Sequence, residues 1–289
     1  MNKIRFIILN FLLIFAVATS ATNNDSIFAE YQKRCAADTS IVQIAERFIG
    51  TPYVAGTLEG DSVEQLKIRL DAFDCVTFVE TTLALWRSEL KNYDDFAAEL
   101  QKIRYRNGKI DGFASRLHYT TDWLRNNASM GIVENITQQL STRQLPLELN
   151  FMTHHRGRYP ALRNNFEQFI AIRNIEKSLS HKRGNFFVFK RDVARIDSLI
   201  PEGAIIAITT NIEGLDCAHI GLAVKRDGAT HLLHASSSQK QVCISQKTLA
   251  EYLATNKKFT GIILAVPKNA NSISKCNFLE YSLEQAYKN

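Results

Sequence analysis

The chain has 289 residues, of which 45% are hydrophobic and 10% aromatic, and a formal net charge of +6 at pH 7. This apolar content excludes a disordered or fibrous chain and is sufficient for a sizeable core. The positive charge is mild and no basic run is interleaved with aromatic residues, so nucleic-acid binding is not indicated. The charge would suit an anionic surface, or it is ordinary surface charge.

The N-terminal segment has the pattern of a secretory signal. Lys3 and Arg5 precede an apolar run at 6–17, and small residues continue to Ala21. The run is short for a bilayer span and polar residues follow it, which predicts a signal peptide at 1–21 that is removed on export. The alternative is an uncleaved anchor. No later segment resembles a membrane span, so we expect no stable membrane insertion after cleavage.

The chain contains five cysteines: Cys35, Cys75, Cys217, Cys243 and Cys276. In an oxidising compartment an odd number leaves at least one thiol free. A disulfide such as Cys35 with Cys276 is compatible with the sequence but cannot be assigned from it. No two cysteines have the spacing of a zinc site, so no metal is predicted.

The first half of the chain is predicted to be mainly helical. Helical periodicity at 41–49 stops at Gly50-Thr51-Pro52, and a short helix is predicted at 63–70. Residues 75–90 are predicted to form a helix with apolar side chains around much of its circumference, which predicts burial. Further helices are predicted at 93–105, 121–127 and 160–180, and polar, aromatic loops at 112–119 and 151–159.

The second half of the chain is predicted to form an antiparallel sheet. Turn signals such as Asp227-Gly228 separate short apolar runs. These predicted strands lie at 204–208, 219–224, 231–235, 242–244 and 261–266. Helices first and strands later predict an α+β fold. We expect one domain at 22–289.

Cys75 lies where a loop enters the predicted buried helix, with Asp74 as the candidate N-cap. A thiol at a helix N-terminus meets the positive end of the macrodipole, so we expect the thiolate to be favoured. The alternative is that Cys75 is a small core residue.

His219 begins a predicted strand, and its side chain alternates onto one face with Gly221 and Ala223. The two small residues are expected to leave room for the Cys75 helix. The Asp227-Gly228 turn should bring His234 to the same end of the hairpin, where it could bond the far nitrogen of His219 and fix its tautomer. A purely structural histidine is the alternative.

These residues resemble a known family. The matching motifs are Gly50-Thr51-Pro52-Tyr53, Asp74-Cys75, His219-Ile220-Gly221 and His234-Ala235. They are similar to the NlpC-type cysteine peptidases of bacterial cell walls, which have a papain-like α+β core and cleave amide bonds in peptidoglycan. The resemblance implies Cys75 as nucleophile, His219 as base, His234 as orienting residue and Tyr53 as an oxyanion or positioning group.

Longer motifs narrow the resemblance to one branch: 57–59, 73–80, 115–119, Trp123, Tyr159-Pro160 and 234–237. That branch, formerly a domain of unknown function, is described as N-acetylmuramoyl-L-alanine amidases acting on anhydro-muropeptides. The resemblance covers about residues 40–267. Thr57 replaces a glycine of the wider family, which affects the expected loop geometry and not the chemistry.

The branch implies an insertion at about 92–200 that shapes the substrate site, and peptidoglycan fragments as substrate. A Cys–His reaction needs no cofactor, and the predicted signal peptide leads us to expect a location in the periplasm or envelope of a Gram-negative bacterium. Arg116, His118 and Tyr119 combine a cation, a tautomeric donor and an aromatic ring, a mixture suited to a sugar–peptide ligand. The alternative is that Arg116 and His118 tie the insertion to the core. The motifs add three further candidate substrate-binding residues: Glu59, Asp74 and Ser236.

The expected reaction is acyl transfer from the muramyl–alanine amide to Cys75, followed by hydrolysis of the thioester. Two other classes stay open at this point. The same core could cut the γ-D-glutamyl–diaminopimelate bond or transfer the acyl group to an amine, or the protein could be a non-catalytic wall-binding module.

Overall fold

The computed structural model describes residues 25–60 and 63–270. The predicted signal peptide at 1–21 and Cys276 lie outside the described residues. Among the described residues no helix combines the length and apolar character that a bilayer crossing requires. Cys35, Cys75, Cys217 and Cys243 are all free thiols in this part of the chain.

Ten helices alternate with loops in the described residues. In chain order they are α1 (25–34), α2 (Ile41–Glu46), α3 (Cys75–Arg87), α4 (Tyr93–Arg104), α5 (Thr120–Ser129), α6 (Thr137–Leu140), α7 (Phe151–His154), α8 (Pro160–Arg163), α9 (Phe166–His181) and α10 (Leu249–Ala254). Short 3₁₀ turns lie at Arg106–Gly108, Phe113–Ser115, Arg156–Arg158 and Lys190–Leu199. The predicted helix at 160–180 is broken, because Asn165 caps α9 by accepting a hydrogen bond from the Gln168 N–H at 3.1 Å.

The sheet has seven strands: β1 (Val133–Asn135), β2 (Val188–Phe189), β3 (Ile205–Thr210), β4 (Cys217–Arg226), β5 (Ala229–Ser236), β6 (Gln241–Thr248) and β7 (Phe259–Pro267). Their order is β1-β7-β3-β4-β5-β6, β2 also pairs with β7, and every pairing is antiparallel. The α+β prediction is confirmed. The sequence missed β1 and β2, which have two or three residues and too little pattern to detect.

The predicted helix at 63–70 is wrong, because these residues are not helical. Their carbonyls serve as acceptors for α4 and the residue after it. Arg104 Nη1 donates to the Lys67 carbonyl at 2.5 Å and Tyr105 Oη donates to the Gln65 carbonyl at 3.0 Å. Arg104 also pairs with Glu80 of α3 at 2.7 Å, with both side chains buried. This buried ion pair connects α3, α4 and the extended segment.

The packing of α3 on the sheet differs from the expected one. Phe78 and Val79 of α3 share a core with Ile220 and Leu222, whereas Ala223 packs on the opposite face, against α10. A register shift of β4 against β3 lies before His219, between His219 and Cys217, and leaves the alternation of residues 219–224 unchanged. The alternation separates the two faces of β4, but it does not decide which face α3 covers. The expectation that α3 packs on the face of His219, Gly221 and Ala223 is therefore wrong.

Gly221 is required by a different neighbour. A Cβ atom there would lie 2.8 Å from the Leu233 carbonyl oxygen and 3.0 Å from the His234 Cβ. The missing side chain lets β5, and not α3, approach β4 closely.

Candidate active site

Asp74 caps α3, as predicted. Its Oδ1 accepts hydrogen bonds from the Val76 N–H at 3.1 Å and the Thr77 N–H at 2.8 Å. Thr77 Oγ1 in turn accepts from the Asp74 N–H at 2.9 Å, which completes a capping box. This cap fixes the position of Cys75, the first residue of the helix. The Asp74 carboxylate is therefore occupied by hydrogen bonds within the protein.

The Cys75 thiol lies against the backbone of β4. The sulfur is within hydrogen-bonding reach of the Ile220 N–H, one residue after His219. Burial, and secondarily the Asp74 charge, raise the pKa of the thiol to about 12, while the N–H groups of Ile220, Cys75 and Val76 act in the opposite direction. The expectation of a favoured thiolate is therefore wrong. The helix N-terminus does stabilise it, but desolvation outweighs that effect.

His219 and His234 meet where β4 and β5 separate. The strands pair as far as Leu222 and Leu233, and beyond this point Nε2 of His219 lies 2.6 Å from Nδ1 of His234. The rings are nearly perpendicular, with centroids 4.8 Å apart. Burial lowers the pKa of His219 to about 3 and that of His234 to about 4, so both are neutral at pH 7. His231 instead bonds the Ser245 carbonyl oxygen.

The imidazole of His219 keeps one nitrogen available. Within the described part of the chain, its Nδ1 makes no hydrogen bond, and none joins it to Sγ of Cys75. The thiol therefore lies against the backbone of Ile220, next to His219 in the chain, without a hydrogen bond to the His219 ring. Contacts between a nucleophile and its base are often loose before substrate binds.

Two tyrosines border the site. Tyr53 bridges to Phe73 in the backbone, and burial, then the charges of Cys75 and Asp74, raise the pKa of its phenol. Tyr252 of α10 lies with its ring centroid 5.4 Å from that of His234 and 6.4 Å from that of His219. The sequence reading missed Tyr252. The available signal was the capping box of Thr248 and Glu251, which marks the start of α10.

Cys243 is a further residue that the sequence reading missed. It pairs with His234 across β5 and β6, and its Sγ lies 3.9 Å from Nε2 of His234. Ser236 is buried and hydrogen-bonds this thiol, Ser238 Oγ at 3.0 Å and the Gln239 N–H at 3.2 Å. Ser236 therefore lies near the imidazoles but is engaged with its own turn.

Arg116 and Glu59 pair with each other. Nη2 of Arg116 lies 3.0 Å from Glu59, its Nε lies 3.4 Å from Glu64, and the guanidinium stacks over Phe113 at 4.9 Å. Arg116 is buried. The charge of Arg116 is therefore balanced by protein carboxylates. This agrees with the alternative in which Arg116 ties the insertion to the core.

His118 and Tyr119 have different surroundings. Nε2 of His118 donates to the Phe113 carbonyl at 2.8 Å, and burial lowers its pKa to about 3. Tyr119 is buried, donates to Glu176 at 2.7 Å and accepts from the Met152 N–H at 3.2 Å. Tyr119 therefore joins its loop to α7 and α9.

A small cavity lies beside the thiol, because two of its lining residues, Val76 and Ile220, flank Cys75. The other lining residues are Val79, Glu80, Leu117, His118, Thr120 and Trp123. The lining is mostly apolar, and His118 is one of its polar residues. Of the predicted substrate-binding residues, His118 is the one that lines this cavity. In residues 25–60 and 63–270, no cluster of three or more His, Cys, Asp or Glu side chains is arranged to hold a metal ion.

Comparisons with known proteins identify the family. A protein-family model, described as AmiA-like and N-acetylmuramoyl-L-alanine amidase-like, matches residues 43–262. An N-acetylmuramoyl-L-alanine amidase from Bacteroides uniformis is 38% identical, with a TM-score of 0.75 over 80% of this chain and 100% of that chain. A Bacteroides fragilis protein provisionally named a xylanase is 40% identical, with a TM-score of 0.74 over 77% of this chain and 98% of that chain.

A Legionella pneumophila protein is 23% identical, with a TM-score of 0.66 over 87% of this chain and 96% of that chain. At that identity the similarity shows the fold alone. No curated protein matches the chain.

Proposed function

The chain belongs to the N-acetylmuramoyl-L-alanine amidase-like family, and we propose that it hydrolyses the amide between N-acetylmuramic acid and L-alanine in peptidoglycan fragments, including anhydro-muropeptides. Cys75 is the nucleophile, His219 the base and His234 the residue that orients it. The core is of the papain-like NlpC type, with the thiol at the start of a helix that packs on an antiparallel sheet.

One observation carries this proposal. The Cys75 thiol reaches the backbone of the residue after His219, and the far nitrogen of His219 is held by His234 at 2.6 Å. A nucleophile, a base and a group that orients the base are the parts that covalent acyl transfer requires.

The first step begins from a neutral thiol and a neutral imidazole. Nδ1 of His219 takes the proton as Sγ of Cys75 attacks the lactyl carbonyl of muramic acid. The oxyanion is held by the Cys75 N–H, which donates to no oxygen in the described residues, and by the Tyr53 hydroxyl. Losing one such donor typically lowers the rate about 100- to 1000-fold.

The second half of the reaction releases the products. The imidazolium of His219 gives its proton to the leaving nitrogen, the C–N bond breaks, and the stem peptide departs with a free L-alanine amine. Water then attacks the thioester while His219 again takes a proton, which releases the muramic carboxylate and restores the thiol.

The test is mass spectrometry of the products from a defined disaccharide–tetrapeptide, in anhydro and reduced forms. We expect the free disaccharide and an intact tetrapeptide. Cys75→Ala and Cys75→Ser should give neither, and Cys35→Ala, which removes a thiol on the α1–α2 connection, should give both. Cleavage after γ-D-glutamate, or parental turnover by a folded Cys75→Ala protein, would refute the proposal.

Two histidine variants test the assigned roles. His219→Ala removes the base and should reduce turnover more than His234→Ala, which removes only the group that orients the base. Equal losses in two folded variants would contradict this assignment.

Xylan is a useful control substrate because of the name given to the Bacteroides fragilis relative. Glycosidases generally need two carboxyl groups about 5–10 Å apart. The carboxylate next to Cys75, that of Asp74, is engaged in the helix cap. We expect no release of sugar from xylan.

We also propose that the protein is exported to the periplasm or cell envelope of a Gram-negative bacterium. The support is the basic, apolar and small-residue order of 1–21. N-terminal sequencing of protein from the periplasmic fraction should begin after Ala18 or Ala21. A periplasmic protein that still starts at Met1 would indicate an anchor.

A further inference from the structure

The hydrogen-bonded groups at the candidate active site extend past the two imidazoles to a second thiol. His234 is 2% exposed and has a protein partner at each ring nitrogen. Its Nδ1 faces Nε2 of His219 at 2.6 Å, and its Nε2 faces Sγ of Cys243 at 3.9 Å. We call His219, His234 and Cys243 the imidazole–thiol array.

The positions of the protons in this array decide whether His219 can act as a base. In the contact between His219 Nε2 and His234 Nδ1, one nitrogen must donate and the other must accept. If His234 donates, neutral His219 carries its proton on Nδ1 and cannot accept one from Cys75. If His219 donates, its Nδ1 is free, and neutral His234 must carry its own proton on Nε2.

The second arrangement needs an acceptor beside Nε2 of His234, and the sulfur of Cys243 is the atom that lies there. We propose that Cys243 is a positioning residue, which holds both imidazoles in the tautomer that leaves Nδ1 of His219 free for the Cys75 proton. The catalytic part of this proposal rests on the proposed function. The assignment of the two tautomers does not rest on the proposed function.

The surroundings of the array favour a fixed arrangement. The Ser236 hydroxyl hydrogen-bonds the Cys243 thiol from the end of β5, and the Tyr252 ring packs against both imidazoles from α10. The other titratable groups beside the array are Cys75 with Asp74 from α3, and Tyr53 next to the thiol. Cys243 sits on β6 by backbone pairing, so replacing its side chain leaves the strand contacts in place.

The first experiment is ¹⁵N NMR of histidine-labelled full-length protein, which distinguishes protonated from unprotonated ring nitrogens. In the parent, His219 and His234 should both carry their proton on Nε2. Cys243→Ala should give a mixture of tautomers, because Nε2 of His234 loses its acceptor. Cys243→Ser should restore the parental spectrum, since a hydroxyl oxygen accepts. Cys35→Ala is the matched control, because its thiol contacts Asp38 and not the array.

The second experiment measures hydrolysis of the defined muropeptide by the same proteins. Cys243→Ala should lower kcat about tenfold, as expected for one lost hydrogen bond to His234, the residue that orients the base, with KM unchanged and with recovery in Cys243→Ser. Parental tautomers in a folded Cys243→Ala protein would overturn the proposal, whether or not kcat falls. If the parent hydrolyses no muropeptide, the proposed function fails, while the spectra still decide the role of Cys243.

Discussion

Acidification should destabilise this protein through its buried imidazoles, and His118 offers the cleanest test. Burial, and secondarily the charge of Arg116, lower the pKa of His118 from 6.5 to about 3. As pH falls, the unfolded chain therefore takes up this proton before the folded chain does. The contribution of His118 to stability is complete above pH 6.5 and is lost as pH falls toward 3.

The size of the effect follows from those two pKa values. Between pH 7 and pH 5, protonation of the unfolded imidazole lowers the free energy of unfolding by about 2 kcal/mol. His219 and His234, with pKa values of about 3 and 4, should act in the same direction. Since domains are typically stable by about 5–15 kcal/mol, one such group is readily measured.

The assay is urea unfolding of the parent and of His118→Gln at pH 7, 6 and 5, followed by tryptophan fluorescence. Burial raises the pKa of the Glu80 and Asp216 carboxyls, so protonation of these two groups favours the folded state as pH falls. The effect of His118 is therefore measured as the difference between the parent and the variant. The variant should lose about 2 kcal/mol less than the parent. His181→Gln, at the exposed end of α9, is the control and should follow the parent. Parallel losses in the parent and His118→Gln would refute the reasoning.

Substitutions at three further positions test individual contacts. Asp74→Ala should lower the free energy of unfolding by about 1 kcal/mol through loss of the cap; Asp74→Asn should keep the cap and speed iodoacetamide alkylation of Cys75, because removing the Asp74 charge lowers the thiol pKa. Tyr119→Phe should cost about 1–3 kcal/mol by leaving Glu176 short of a donor, with kcat unchanged. Gly221→Ala should cost about 1–3 kcal/mol and lower kcat, because the new methyl displaces β5; parental turnover would contradict this. Urea unfolding, mass-detected alkylation and muropeptide hydrolysis provide the measurements.

The parts of the fold with long, regular patterns could be predicted from the sequence. Helix α3 was predicted within three residues, because its apolar side chains recur around the helix and Asp74 marks its start. The β4–β5 hairpin was predicted because Asp227 and Gly228 adopt the positive φ angles that such a turn requires. That hairpin is also what made the His219–His234 pair predictable.

Features that depend on distant contacts could not be predicted in this way. Residues 63–70 have a helical pattern, yet their carbonyls accept from Arg104 and Tyr105, which lie more than thirty residues away. Helix α3 packs on the face of β4 that carries Ile220 and Leu222, and not on the face that carries Ala223. A period-two pattern separates the two faces of a strand but contains no information on which face a helix covers. Cys243 was missed for a similar reason, since only strand pairing brings it opposite His234.

The surroundings of Cys75 in the folded protein also change the expected protonation state of its thiol. From the sequence, the helix N-terminus appeared sufficient to generate a thiolate. The structure adds the burial and the neighbouring carboxylate, which together raise the pKa of the thiol to about 12. A helix terminus contributes about 0.3–2 kcal/mol, whereas moving the pKa from 9 to about 12 corresponds to roughly 4 kcal/mol. In the proposed mechanism, a thiol held protonated to this degree needs a base in direct contact when it attacks. The imidazoles therefore matter more to the proposed reaction than the helix terminus does, and the proposed role of Cys243 on β6 is to fix their protonation.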